Sequence, residues 1–260
     1  MSACLRTDVR RSGELVETFV IYVINLERSP DRWNTILSQA NSIGVSIERV
    51  PGVDGCAIRS GDWINVDEKK FELRNGRKIL PGEYGCYKAH LSVLEMFVAS
   101  PHSAAIIVED DVDLTENFLP RVAAIRDHLP SAELVKLLNH RAKGFRESIV
   151  TAYGDRVGRC LHGPQGSAAC YLVTRSGAIK LLDQIQTMRY PYDIALERGW
   201  KTGVEVYTVA NNIVNLSKHS TNSQIADRSQ YRAVKIRGLR KMSTHVIRAI
   251  EYLRRIWYAL

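Results

Sequence analysis

No apolar run in this chain approaches the length of a membrane span. Val20 to Ile24 and Ala104 to Val108 are short, against the roughly 20 residues a helix needs to cross the hydrocarbon core. The N-terminus lacks the apolar core of a signal peptide, so a cytosolic or peripheral protein is expected. Cysteine is sparse as well: Cys4, Cys56, Cys86, Cys160 and Cys170 are odd in number and never form a Cys-x-x-Cys pair. That spacing argues against a disulfide framework and a zinc knuckle, leaving reduced thiols. Cys86 falls in an apolar helical pattern with no activating base in sight and reads as a core thiol. Internal repeats, low-complexity tracts and an interdomain linker are also missing. Basic residues outnumber acids most strongly towards the C-terminal end: residues 228–260 hold nine Lys or Arg and the single acid Glu251. The other 27 basic and 27 acidic side chains fall in residues 1–227 and balance. With a neutral body and no recognised reading motif, nucleic acid is not an expected partner.

What is present suits one large folded domain: 260 residues, 45% hydrophobic and 25% charged. Val16 to Leu26 is rich in β-branched and aromatic residues and reads as a buried strand. Ser29 and Pro30 open a helix to about Ser42, and Val45 to Val50 alternates as a second strand. A strand, helix, strand beginning predicts an α/β domain with a nucleotide site at the carboxyl ends of its strands. Gly52 to Lys78 reads as loop. Helices are expected from Pro81 to about Ala99, Glu116 to Leu129, Ser176 to Met188 and Ile194 to Arg198. Strands are expected at Ala104 to Val108, Leu134 to Leu138, Ala169 to Thr174 and Gly203 to Val209. From Ala233 onward apolar residues recur at helical spacing with Arg and Lys between them, an amphipathic basic extension. It suits an interfacial helix on an anionic membrane; packing on its own domain or on a dimer partner is the plainer alternative. The boundaries are residues 16–227 for the α/β body and 228–260 for the extension.

The strongest chemical signal is Ala104-Ala-Ile-Ile-Val108 running into Glu109-Asp110-Asp111-Val112-Asp113. Four carboxylates in five positions repel one another unless a cation compensates, and carboxylate oxygens suit Mn²⁺ or Mg²⁺. A solvated acidic turn is the competing explanation. Two metal chemistries fit: a clamp on the diphosphate of a nucleotide sugar, or a phosphohydrolase, since Asp111-Val-Asp113-Leu-Thr115 also matches an Asp-x-Asp-x-Thr signature. That signature belongs near the start of its domain with an acidic pair following. Here more than 100 residues precede it and no such pair follows, so the phosphohydrolase ranks second. A non-enzymatic membrane-binding protein is the third reading.

Five segments in order then resemble glycosyltransferase family 25, the lipooligosaccharide galactosyltransferase-like family, over most of residues 19 to 230. They are Val23-Ile-Asn-Leu-Glu-Arg-Ser-Pro-Asp-Arg32, Pro81-Gly-Glu-Tyr-Gly-Cys-Tyr-Lys-Ala-His-Leu91, Ile107-Val-Glu-Asp-Asp-Val112, Gly166-Ser-Ala-Ala-Cys-Tyr-Leu-Val173 and Pro191-Tyr-Asp193. The resemblance implies a GT-A-like (Rossmann-like) α/β domain with a mixed sheet. It also implies a UDP-sugar donor, Mn²⁺ dependence, inversion at the anomeric carbon and a saccharide or lipid-linked saccharide acceptor. The expected setting is the inner face of a bacterial cytoplasmic membrane. On this resemblance Asn25, Arg28 and Arg32 approach the nucleotide phosphates, and Asp54 the uridine. Glu83 and His90 wall the donor site. Asp111 is the leading metal ligand and Asp113 its alternative, with Glu109 and Asp110 towards ribose or sugar. His219 completes the metal shell. Gly166 and Ser167 let backbone approach the sugar. Asp193 is the candidate base, a helix-capping aspartate being its alternative.

Overall fold

The computed structural model describes residues 19–217, 228–236 and 241–260. In chain order the first half contains β1 (Phe19–Asn25), α1 (Pro30–Ser42), β2 (Glu48–Pro51), α2 (Glu68–Asn75), α3 (Pro81–Ala99), β3 (Ala104–Glu109), β4 (Val112–Asp113) and α4 (Phe118–His128). There follow β5 (Leu134–Lys136), β6 (Lys143–Val150), β7 (Arg156–His162), β8 (Cys170–Thr174), α5 (Arg175–Ile185), α6 (Tyr192–Leu196), α7 (Gly199–Thr202), β9 (Val206–Val209), β10 (Asn215–Leu216), α8 (Arg228–Ala233) and α9 (Met242–Ala259).

Eight strands form one mixed sheet in the order β2-β1-β3-β8-β5-β9-β7-β6, with β1 parallel to β2 and β3, and β8 antiparallel to β3 and β5. The mixed α/β fold expected from the sequence is therefore the one found. All seven residues of β1 are buried, because the sheet is covered on both faces and its strands need no polar side. Val20, Tyr22 and Ile24 join the core under α3 and α5, whereas Phe19, Ile21 and Val23 join the core under α1 and α4. The two-residue period of a strand divides one apolar run between two layers.

The topology also places the crevice. From β1 the chain reaches β2 on one side, with α1 over one sheet face, then reaches β3 on the other side of β1 with α3 over the opposite face. Ligands bind where such connections part, outside the carboxyl ends of the strands. Asn25 ends β1 and Glu109 ends β3. Against that crevice lies the loop after β2, tied by glycine: a Cβ on Gly55 would come within 1.8 Å of the Pro81 carbonyl oxygen, and one on Gly85 within 2.3 Å of the Val53 carbonyl oxygen. Main chain touches main chain here, which only glycine allows.

Three expectations need correction. The segment read as loop contains α2, capped by the Asp67 carboxylate accepting from Lys70 N–H and ended by Gly76 at φ 69°. The hairpin of β6 and β7 extends the sheet where no strand was expected. The basic extension is not one helix from Ala233: α9 begins at Met242 and packs on α2, β7 and α7. No helix among the described residues is long and apolar enough to cross a membrane.

Candidate functional site

Two cavities open at the carboxyl ends of β1 and β3, and Cys86, Glu109 and Asp111 line both. The first is walled by Gly52, Gly55, Gly82, Gly85 and Ala89, small residues that leave room for a flat ring. Arg28, Arg32, Asp54, His90 and Asp110 also face it. The second is lined by Glu83, His140, Ser167, Tyr192, Asp193 and Tyr231.

Within the acidic run the four carboxylates have separate fates, because the chain turns between β3 and β4. Asp110 is clamped: Asn25 Nδ2 donates to its Oδ2 at 2.5 Å, and Arg32 Nη1 pairs with its Oδ1 at 3.1 Å. Asn25 is itself held, donating to the Ser29 carbonyl and accepting from Arg49. Glu109 Oε1 accepts from His90 Nε2 at 3.0 Å, and the other ring nitrogen of His90 lies 3.2 Å from the Tyr171 hydroxyl. That ring stacks on Tyr192 at 4.2 Å between centroids, and Tyr171 and Tyr192 share a hydrogen bond. His90 thus ties the end of β3 to the start of α6.

Asp111 differs from its neighbours. Its Oδ1 is buried without a hydrogen-bond partner, and burial, then the charges of Glu109 and Asp110, push its carboxyl up to about 7. An orphaned carboxylate oxygen crowded by two acids fits a divalent cation, which would satisfy that oxygen and offset the repulsion. Asp113 lies elsewhere: it accepts from Gln39 Nε2 at 2.8 Å, β4 pairs with β10, and neither cavity includes it. Thr115 donates to the Ile213 carbonyl. The Asp-x-Asp-x-Thr residues therefore do not converge here, and Asp113 braces β4 against α1 outside both cavities. His219 lies outside the described residues. Ser217, two residues before it, donates its N–H to the Asp111 carbonyl at 2.8 Å.

The remaining expected residues fall on both sides of the turn. Arg28 pairs with Asp54 at 2.7 Å, and Asp54 also accepts from Cys56 N–H. Glu83 faces the second cavity rather than the first. Its carboxylate is bound by Arg77 and by Leu80 N–H, so it caps α3 as much as it walls a site. Gly166 at φ 76° and Ser167 at φ 63° form a left-handed turn above the second cavity, a conformation costly for serine. Asp193, in the first turn of α6, is pushed up to about 6 by burial and by the nearby charge of Glu197, against the opposing pull of Lys136.

Sequence reasoning missed Lys136. It is fully buried at the end of β5, where Nζ donates to the Gly166 carbonyl at 2.8 Å. It thereby fixes the left-handed turn and sets a positive charge opposite Asp193. A lysine inside Leu134-Val-Lys-Leu-Leu138 was the available signal, since unpaired lysines are almost never buried. Cys86 half-faces both cavities, with its thiol pushed far up by burial and by Glu109, which suits a wall and not a nucleophile.

The family model described as glycosyltransferase family 25 (LPS biosynthesis protein) matches residues 19–196. A glycosyltransferase 25 family member from Aedes aegypti is 29% identical over 63% of this chain and 28% of its own. The inactive glycosyltransferase 25 family member 3 of Homo sapiens is 28% identical over 62% of this chain and 28% of its own. The chain thus spans under a third of the length of these relatives. A Drosophila β-1,4-galactosyltransferase 7 mutant crystallised with manganese, UDP-Gal and xylobiose aligns with a TM-score of 0.44 at 10% identity. The alignment covers 86% of this chain and 79% of that one, a likeness too distant to bear on the site.

Proposed function

The chain belongs to glycosyltransferase family 25, and from that premise we propose that it moves a hexose, galactose by our reading, from a UDP-sugar to a saccharide acceptor. The setting we infer is the assembly of lipooligosaccharide or another bacterial surface glycan. One observation carries the reading: two cavities meet on Asp111, whose buried oxygen has no partner in the fold.

In this reading the first cavity takes the nucleotide, its base against the glycine wall beside Asp54 and its phosphates towards Arg28 and Arg32. The helix start of α1 adds amide dipoles of the right sign. Asp110, held by Asn25 and Arg32, presents its outer surface to ribose, and Glu109, held by His90, borders the sugar. Asp111, with His219 as a second donor, would hold Mn²⁺ or Mg²⁺; the cation supplies charge neutralisation for the departing diphosphate.

The second cavity receives the sugar and the acceptor. The acceptor oxygen bonds to the anomeric carbon as the bond from that carbon to the UDP oxygen breaks, and the hydroxyl proton passes to Asp193. Attack from the face opposite UDP inverts the centre. Burial suits Asp193 to this task, because a base near pH 6 holds a proton better than an exposed carboxylate while remaining ionised at neutral pH. Gly166 and Ser167, steadied by Lys136, bring main chain against the sugar.

Some relatives carry the name inactive, so the first test is turnover itself. UDP-sugars should be screened for UDP release with Mn²⁺, with Mg²⁺ and with chelator, each with and without saccharide acceptors. Metal-dependent release stimulated by an acceptor is expected, with UDP-galactose the best donor. Absence of both binding and turnover for every nucleotide sugar would sink the reading; release from another UDP-sugar would change only the sugar.

A further inference from the structure

α9 is attached to the body by its polar side. Thr244 donates to the Leu73 carbonyl and Arg248 to the Asn75 carbonyl, at 2.8 and 2.7 Å. Glu251 accepts from Arg198 and Trp200, and Arg255 pairs with buried Glu197 at 2.7 Å. The Tyr258 hydroxyl donates to the Val204 carbonyl and accepts from Val206 N–H. These residues recur every three or four positions and make one face.

The opposite face is apolar and open. Met242, Val246, Ile250, Leu253, Trp257 and Leu260 follow the same spacing and are all exposed, Leu253 at 65% and Trp257 at 83%. A helix on a water-soluble body normally shows the reverse arrangement, apolar side inward. Single exposed apolar residues need no explanation, but a contiguous stripe does.

Ile250 also borders a groove between α9, α2 and α7. Lys70, Arg74, Arg189, Arg198, Lys201 and Arg254 line it, and Glu251 is the one acid among its described lining residues. Glu251 is already engaged by Arg198 and Arg254, and Asp67 beside the groove is shared by Lys70 and Arg189, so the cations remain in excess. The open face thus joins an apolar stripe that includes Trp257 to an excess of positive charge.

We propose that α9 and this cationic groove form a docking surface for an anionic lipid bilayer. The stripe enters the boundary between headgroups and acyl chains, where tryptophan is favoured, and the groove meets lipid phosphates. A second copy is the poorer occupant: pairing the stripes antiparallel about a twofold axis would set each cationic flank near its own image. The surface is also of the wrong character for nucleic acid, which offers nothing apolar to a row of Leu, Ile and Trp.

The test is co-sedimentation of the full chain with phosphatidylcholine vesicles, with and without phosphatidylglycerol, at low and high salt. Binding to the anionic vesicles alone, weakened by salt, is expected. A Leu253→Ser/Trp257→Ser variant should lose at least tenfold in partitioning. Lys70→Glu/Lys201→Glu should lose about twenty-fivefold or more, since each cation near an anionic surface contributes about fivefold. All four positions are exposed, and the Lys70–Asp67 pair faces solvent, so melting temperature should fall only slightly and turnover of a soluble acceptor should hold, separating this surface from the catalytic reading. The proposal is overturned by absent or equal binding to both vesicle types. It is equally overturned by binding that neither variant reduces, or by concentration-dependent dimerisation that Leu253→Ser/Trp257→Ser abolishes.

Discussion

The two cavities that share Asp111 are built on opposite electrostatic plans. In the first, charge is answered within the fold: Arg28 by Asp54, Asp110 by Arg32 and Asn25, Glu109 by His90. At their common border Asp111 keeps a buried oxygen without a partner, and in the second cavity Asp193 sits half-buried near the like charge of Glu197. Asp110 and Asp111 are consecutive residues, yet one is a strut and the other an uncompensated charge. Paired charge fixes position; charge held against its preference is available for chemistry.

The sharpest way to break this contrast is to remove each acid in turn. Asp111→Asn should lower metal-dependent transfer about a thousandfold or more, the scale of losing charge stabilisation at a leaving group. Asp113→Asn should leave the rate within about threefold, because its partner Gln39 is outside the crevice. Equal losses in the two variants would undo the distinction. Asp193→Asn should cut transfer about a hundred- to thousandfold with donor affinity unchanged in calorimetry, the range expected of a general base.

The same residue should leave a mark on pH dependence. With its carboxyl pushed up to about 6 by burial, transfer should fall about tenfold per pH unit below that value as the base is protonated. Stability runs the other way. A carboxyl raised in the folded state favours folding while protonated, and that contribution is lost as pH rises through about 6. Asp193→Asn should therefore melt like the parent near pH 4 but be about 2 kcal/mol more stable near pH 7.5. A variant destabilised at both pH values would make Asp193 a structural cap. A smaller effect than that of Asp111 or Asp193 comes from the paired side: Asp110→Asn should weaken donor binding about tenfold through KM while changing kcat little.

The parts of this design that could be read from the sequence are those with local causes. α1 and α3 begin at Pro30 and Pro81 as expected, and β1 and β3 are apolar up to their last residues, Asn25 and Glu109, because both faces are covered. α2 escaped because its residues are mostly charged and only Phe71 and Asn75 are buried, although Asp67 and Gly76 were fair end signals. β6 escaped for a related reason: its residues are largely exposed, so no alternation marks it. In the site, four acids in five residues announced a charge problem, but not how a turn would share it out. That outcome depends on Asn25 and Arg32, 85 and 78 residues from Asp110 in the chain. Lys136 was legible as an anomaly and its purpose was not, since Gly166 lies 30 residues away.

The hydroxyl of Tyr258, bridging Val204 and Val206 at the entry to β9, has a consequence for the making of the protein. A central strand is anchored by a side chain 52 residues further along the chain. At ribosomal rates of about 5–20 residues per second, that strand waits roughly 3–10 s for its partner. The order of synthesis thus leaves the entry to β9 open after all eight strands of the main sheet have been made, and a nascent chain is exposed there to wrong pairing.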